Sequence, residues 1–197
     1  MVKAKKSVKK IFYDVDVPLI STKISLYGES ADVLVGKVAK VDLTRSLKGK
    51  SFEIKFKIGM EKDKLVGNPE SLELAGSFVR RMMRKGVDYV EDSFVLMCKD
   101  VNVVVKPFLI TRNRVSRAVR KALREETKKF IESNFKARTS REIFSEILAN
   151  KVQKELSYKL KKIYPLALCE IRVFKIVEKS KRNEKSVVES ASAAAAA

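Results

Sequence analysis

Phe52-Glu-Ile-Lys-Phe-Lys-Ile58 alternates apolar and charged side chains without a break. Period two sends Phe52, Ile54, Phe56 and Ile58 to one face and Glu53, Lys55 and Lys57 to the other, the pattern of a half-buried antiparallel strand. Gly49, between Lys48 and Lys50, marks the turn that precedes it. Upstream, 11–17 reads as a short strand ended by Pro18, and 33–43 mixes valines and Leu43 with polar neighbours in the same way. Downstream, Gly67-Asn68-Pro69 reads as a turn between the runs 64–66 and 71–74.

Beyond this strand-rich half the period changes. Ser77 can cap a short helix over 78–85 that runs into Gly86, a residue free to take the left-handed conformation. The β-branched runs 87–97 and 101–110, separated by Lys99-Asp100, predict a tight hairpin. From Asn113 a 3.6-residue period places Val115, Val119, Ala122, Phe130 and Ile131 on one helix face and Arg117, Lys121, Arg124 and Lys128 in a stripe. Thr139-Ser-Arg-Glu142 has the spacing of a capping box and opens a second helix. Its apolar stripe, Phe144, Leu148, Val152, Leu156 and Leu160, stops before Pro165. The run 165–177 reads as a last strand with Cys169, Ile171, Val173 and Lys175 on one side. The expected fold is α+β, with a mostly antiparallel, barrel-like sheet flanked by one short and two longer helices. We divide it into a basic arm over 1–10, a single domain over 11–177 and a disordered Ser/Ala-rich tail over 178–197.

Composition narrows the function. The 197 residues carry 43 Lys+Arg against 24 Asp+Glu, a net charge of +19, while 45% are hydrophobic, enough for a core. That excess of positive charge repels itself in an isolated globule and calls for a polyanionic partner. Histidine is absent, which removes His-based triads, His acid/base pairs and His-containing zinc sites. Cys98 and Cys169 lie far apart in apolar runs with no CxxC, so they read as small core residues of a reducing compartment. The basic start, MVKAKKSVKK, is followed by a run that Asp14 and Asp16 interrupt, unlike a secretory signal. No run of about 18 apolar residues exists to span a membrane.

No catalytic constellation stands out. Gly49-Lys50-Ser51 matches the end of a phosphate-binding loop, but Thr44 occupies the position of the required first glycine, so a hairpin turn is the simpler reading. Asp14 and Asp16 share a strand face without further carboxylates and read as solvated residues. We therefore expect no enzyme activity, no cofactor and no small-molecule substrate.

Three basic clusters remain. The first is the arm, Lys3, Lys5, Lys6, Lys9 and Lys10; the second is Arg80, Arg81, Arg84 and Lys85, with Arg80 and Arg84 spaced to share a helix face. The third opens with Arg112, Arg114, Arg117, Arg120, Lys121 and Arg124 and continues through Lys128, Lys129, Lys136, Arg138 and Arg141. Acids are scarce there (Glu125, Glu126, Glu132 and, just beyond, Glu142), so pairing along the helix cannot neutralise the face. Arginine leads the run, and its planar fork suits phosphate better than lysine does. DNA, RNA, an acidic protein and an anionic membrane stay open on charge alone. A membrane-surface helix would carry bulky aromatics opposite its basic stripe, and here valines and alanines come first. Nucleic acid is the favoured partner.

The ordered motifs Val79-Arg-Arg-Met-Met-Arg-Lys85, Leu109-Ile-Thr-Arg112, Ala118-Val-Arg-Lys121 and Tyr164-Pro-Leu-Ala-Leu-Cys-Glu-Ile-Arg172 resemble one ribosomal family. It is the small-subunit ribosomal protein S-one-e family of archaea and eukaryotes, distinct from the bacterial protein of similar name. Lys10-Ile-Phe-Tyr13 with Pro18 resembles its basic-aromatic opening, and Gly36-Lys37 with Leu43-Thr44 its next strand and turn. The resemblance implies a structural constituent of the small subunit in the cytoplasm, on the platform near the mRNA exit region and the 3′ end of the rRNA. It also implies a barrel-like sheet flanked by helices, and as partners small-subunit rRNA, neighbouring ribosomal proteins and mRNA near the exit. No membrane partner follows. A free-standing RNA-binding or RNA-chaperone module is the alternative with the same chemistry. The RNA-contacting residues expected are the arm lysines, Arg80, Arg81, Arg84, Lys85, Arg112, Arg114, Arg117, Arg120, Lys121 and Arg124.

Overall fold

Phe52, Ile54, Phe56 and Ile58 are at most 3% exposed, so the alternation that opens the sequence reading marks a buried strand face. The computed structural model of the chain describes residues 9–20, 22–47, 49–61 and 64–177. Lys3, Lys5, Lys6 and the 178–197 tail lie outside the described residues. Contacts group the chain into two compact units, one ending at Arg81 and the other beginning at Met82.

The first unit contains strands β1 (Ile11–Val17) and β2 (Thr22–Gly28), helix α1 (Ala31–Leu34), strands β3 (Val38–Asp42), β4 (Phe52–Glu61) and β5 (Lys64–Leu74), and helix α2 (Gly76–Met82). Its strands follow the order β2-β1-β5-β4-β3. All pairings are antiparallel except β1 with β5, which run parallel with Asp16 opposite Val66, so the sheet is mixed. Several expectations are corrected here. Gly67-Asn68-Pro69 is not a turn: these residues lie inside β5, and Glu70 is the extra residue of a bulge where Ser71 pairs Lys55 and Pro69 pairs Phe56. A bulge is where a strand tolerates proline, which has no N–H for the ladder. The run 33–43 divides into the end of α1 and β3, and Gly36 (φ +82°) provides the left-handed link between them. Gly28 leaves room for Leu34, whose side chain would lie 3.0 Å from a Cβ at that position. Leu34 joins Val15, Ile58 and Leu65 in a buried cluster.

Helix α2 is shorter than the reading over 78–85. It begins one residue before Ser77, which sits in its first turn rather than capping it, and it stops at Met82. Gly86 does take a positive φ, of +87°, but in the turn beyond the helix.

The second unit comprises β6 (Tyr89–Glu91), β7 (Phe94–Met97), β8 (Asn102–Thr111), α3 (Arg117–Lys136), α4 (Ser140–Leu148), α5 (Lys151–Leu160) and β9 (Leu166–Val177). β8 pairs antiparallel with β9 on one side and with β6 and β7 on the other. The hairpin at Lys99-Asp100 joins β7 to β8 as its spacing predicts, although 87–97 is two short strands broken at Asp92-Ser93. Among the described pairings, neither unit closes its strands on themselves.

β9 carries two bulges, with Arg172 the extra residue opposite the step from Lys106 to Pro107, and Ala167 opposite the step from Ile110 to Thr111. The first shifts the side-chain period, so Ile171 and Phe174 are buried where strict alternation pairs Ile171 with Val173. Phe174 packs edge-on against Phe135 of α3 and Phe144 of α4, with ring centroids 5.9 and 4.7 Å away. The capping box forms as read: Thr139 Oγ1 accepts from the Glu142 N–H, and Glu142 Oε2 accepts from the Thr139 N–H. The long second helix is in fact α4 and α5. Asn150 adopts the left-handed conformation (φ 58°), which Asn tolerates better than most residues, and the Gln153 amide donates to the Ile147 carbonyl that the break exposes.

Candidate nucleic-acid interface

The arginine-rich stretch begins where β8 ends, and a small polar network fixes how it leaves the sheet. Thr111 is fully buried, and its hydroxyl lies 2.9 Å from the Asp88 carbonyl and 2.7 Å from that of Asn113. The same oxygen accepts from the Asp88 N–H, the Thr111 N–H donates to the Asp88 carbonyl, and the Asp88 carboxylate accepts from the Val115 N–H at 2.9 Å. The segment 112–115 is thereby tied to the start of β6 at both ends. Ser116 then caps α3, its hydroxyl accepting from Val119 N–H at 3.4 Å. The helix therefore starts four residues after the Asn113 of the sequence reading, because these side-chain and backbone bonds compete with helical ones.

Arg112, Arg114 and Arg117 are exposed on this path and Arg120 is half-buried. Among the described residues none of the four has a carboxylate within ion-pair distance. The first turn of α3 carries Arg117 and Arg120 and no acid, the opposite of what a helix N-terminus favours. Further along the helix the expectation that pairing cannot neutralise the stripe is corrected. Lys121 lies 3.9 Å from Glu125, Lys128 lies 3.9 Å from Glu132, and Arg124 Nε lies 3.1 Å from the Asp92 carboxylate. The acids that sequence counting found scarce are placed one turn on, and Asp92 arrives from the β6–β7 break. The buried face of α3 is Leu123, Thr127, Phe130, Ile131 and Phe135; Val115, Val119 and Ala122 are only partly covered.

Arg80 and Arg81 occupy the last turn of α2, where cations complement the helix dipole, and the Arg81 guanidinium lies 5.4 Å from the Phe78 ring centre. Arg84 lies beyond the helix, so the four-residue spacing does not give it Arg80's face. Instead Arg84 and Lys85 line a surface cleft of about 510 Å3 together with Arg112. Met82, Val87, Ile110, Ala167 and Leu168 complete the lining. Tertiary structure thus unites parts of two sequence clusters that lie far apart in the chain. Lys9 and Lys10 are exposed at the start of β1.

Sequence reasoning overlooked one basic surface. Lys151, Lys154 and Lys159 on α5, with Lys161 and Lys162 after it, are all exposed, and Tyr158 is 73% exposed among them. The run Lys159-Leu-Lys-Lys162 is its signal, masked by attention to the apolar stripe of the same helix. Lys159 Nζ also lies 4.7 Å from the Phe130 ring centre.

The residues screened for other chemistry have structural places. Asp14 accepts from the Ser25 hydroxyl across β1–β2 at 2.8 Å, and Asp16 stands opposite Lys23. Gly49 turns with φ +89°. Cys98 and Cys169 are buried and free of disulfides. Burial, with a smaller contribution from Asp100, pushes the Cys98 thiol up to about 11, the opposite of an activated nucleophile. No helix among the described residues is long and apolar enough to cross a membrane.

The protein is thus a mixed-sheet α+β protein with one ordered segment whose cations have no carboxylate partner among the described residues. A sequence model of the Ribosomal S3Ae family matches residues 2–180, and the chain belongs to that family. It is therefore a ribosomal protein, a structural component rather than an enzyme, in line with the resemblance carried by the motif order. The chain is 28% identical over 184 residues to the small ribosomal subunit protein eS1 of Nanoarchaeum equitans, covering 88% of this chain and 91% of the relative. It is 26% identical over 185 residues to the protein of the same name from Desulfurococcus amylolyticus, covering 90% and 86%. The Methanothermobacter thermautotrophicus protein of that name is 26% identical over 143 residues, covering 70% and 71%.

Proposed function

We propose that this chain is a structural constituent of the small ribosomal subunit that binds rRNA on the platform, near the mRNA exit region, and supports subunit assembly and translation. The observation that carries the RNA contact is the segment 112–120, which a part-buried network and the Ser116 cap hold in place and whose four arginines have no carboxylate partner among the described residues. Cations gathered at a helix N-terminus disfavour one another and the helix dipole until an anion arrives. Phosphate supplies that anion, and Arg binds it through two parallel N–H donors.

In this reading Arg112, Arg114, Arg117 and Arg120 form the principal grip. The arm lysines, Arg80, Arg81, Arg84, Lys85, Lys121 and Arg124 add contacts, the last two by exchanging their carboxylates for phosphate. Neighbouring ribosomal proteins and mRNA near the exit are the further partners. The barrel-like curl of the sheet also belongs to this reading.

The test is sedimentation with small subunits from cells expressing the tagged chain, followed by a salt titration of binding to small-subunit rRNA fragments. Stoichiometric co-migration at moderate salt is expected, as is a log–log slope of roughly −0.9 per phosphate neutralised on duplex or −0.7 on single strands. Binding to RNA without co-migration would turn the reading into a free-standing RNA chaperone, and a flat slope would defeat the phosphate contacts.

A further inference from the structure

The cleft lined by Arg84, Lys85 and Arg112 has a shape that charge neutralisation alone does not require. Its floor is apolar: Ile110 is buried at 2% exposure, Val87 and Leu168 are half-buried, and Ala167 is the extra residue of the β9 bulge. That bulge interrupts the ladder between Ile110 and Thr111, and bulges of this kind re-aim side chains and open a sheet locally. All three charged lining residues are cationic, all three are exposed, and no acid lines the cleft. A volume of about 510 Å3 falls within the range of clefts that hold a small molecule.

The geometry points to a pocket for one unpaired RNA nucleotide, its phosphate held by Arg84, Lys85 and Arg112 and its base laid over Ile110, Val87 and Leu168. This rests on the RNA-binding reading above and deepens it, because it assigns recognition of an unstacked base rather than of backbone charge alone. A bare phosphate needs no apolar floor, and an apolar group needs no ring of cations; a nucleotide presents both. RNA read by proteins offers such groups at loops, bulges and ends, where bases splay out and pack on side chains, an arginine plane included. A base stacked inside a duplex cannot enter. The part-buried Asp88–Thr111 network adjoins the cleft and holds Arg112 at its rim, so the site is built before the ligand comes.

The experiment uses the full chain and two strands with the same number of phosphates, an unstructured RNA decamer and the same decamer with every base removed. Loss of the bases is expected to weaken binding by about tenfold, the effect of one base packing contact. That difference should vanish in Arg84→Gln/Arg112→Gln and in Ala167→Glu, which plants a carboxylate on the floor at an exposed strand position. Circular dichroism melts guard against misfolding, and because the two variants alter different parts of the cleft, either one that folds decides the matter. Equal binding of the two strands by the unaltered chain would overturn the pocket while leaving phosphate binding intact. So would a base-dependent difference that survives in either folded variant, or displacement of the RNA by a poly-glutamate peptide at equal concentration, which would point to an acidic protein segment. Failure of the chain to bind either strand at low salt would instead strike the RNA-binding reading itself.

Discussion

Lys40 and Lys55, on the solvated face of β3 and β4, each meet a carboxylate across a strand pair, whereas Arg112, Arg114, Arg117 and Arg120 meet none among the described residues. Lys40 Nζ is 2.7 Å from Glu53, and that hydrogen bond raises the lysine above its ordinary value; Lys55 Nζ is 3.1 Å from Glu73. Both regions are basic in sequence and both face water. What separates them is register. In β3–β4–β5 Lys40 stands opposite Lys55 and Glu53 opposite Glu73, and each lysine reaches a glutamate diagonally across its strand pair, so the charge is satisfied within the fold. Between β8 and α3 the backbone is locked by Asp88 and Thr111, and this one carboxylate and one hydroxyl bond the main chain rather than the guanidiniums. A basic surface that is complete in itself stabilises the protein; one left uncompensated awaits something else.

The largest effect expected is on that second region. Replacing Arg112, Arg114, Arg117 and Arg120 together with Gln should weaken rRNA-fragment binding by at least about a hundredfold, since a hydrogen bond to a charged group is worth roughly 1.5–3 kcal/mol. The salt slope should flatten by roughly 3, from four lost phosphate contacts at −0.7 to −0.9 each. The melting temperature should stay or rise, because like charges at a helix N-terminus are relieved. An unchanged slope would erase the contrast between the two regions.

Next in size is the network that holds the segment. Thr111→Val keeps the shape but removes the hydroxyl that bonds the Asp88 and Asn113 main chain. Losing two part-buried hydrogen bonds should cost about 1–3 kcal/mol in a denaturant melt, at roughly 0.5–1.5 kcal/mol each. RNA affinity should fall with it, although no cation has been touched. A variant of full stability that also binds normally would show that the arginines need no such anchor.

That anchor was invisible in sequence, and the reason is general to this molecule. Local patterns were legible: the alternation at 52–58, the capping box at Thr139 and Glu142, and the turn at Gly49 all appear where they were read. The bulges were not: Pro69 looks like a strand breaker until β5 makes room for it beside its own extra residue Glu70, and Arg172 becomes the extra residue of β9 only through its pairing with β8. β2 was missed although Lys23, Ile24, Ser25, Leu26 and Tyr27 alternate, and the one long amphipathic stripe from Phe144 to Leu160 concealed the break at Asn150. At the candidate site, the basic residues were legible as composition, but which of them are paired was not. Arg124 finds Asp92 from another element, and Arg84 and Arg112 meet only because the chain folds back.

A smaller effect is expected at the cap of α4. Thr139→Ala should cost about 1 kcal/mol, the usual loss for an N-cap. Its partner gives a pH signature. Hydrogen bonds from the Thr139 N–H and hydroxyl side hold the Glu142 carboxyl below its ordinary value. A carboxyl whose folded value is depressed contributes stability that is present above its unfolded value and fades as pH falls through the folded one. Stability between about pH 5 and pH 3 should therefore decline less steeply in Thr139→Ala than in the unaltered chain. Parallel declines would mean the box carries no charge-dependent stability.

The smallest effect is the sharpest control on the comparison. Lys55→Gln removes a cation from a surface that already satisfies it, with both partners more than a third exposed (41% and 37%). Exposed ion pairs are worth about 0–1 kcal/mol, because solvent screens the attraction and two long side chains must be held still. The melt should thus move little. The more telling measurement is the salt slope of RNA binding, which should change by far less than the roughly 0.7–0.9 of one phosphate contact, since a lysine bonded to Glu73 is not free to displace counter-ions from phosphate. If Lys55→Gln flattened the slope as much as a single arginine replacement in 112–120, internal pairing would not be what distinguishes the two surfaces. RNA would then be reading total charge, and the ordered geometry between β8 and α3 would have no special part in binding.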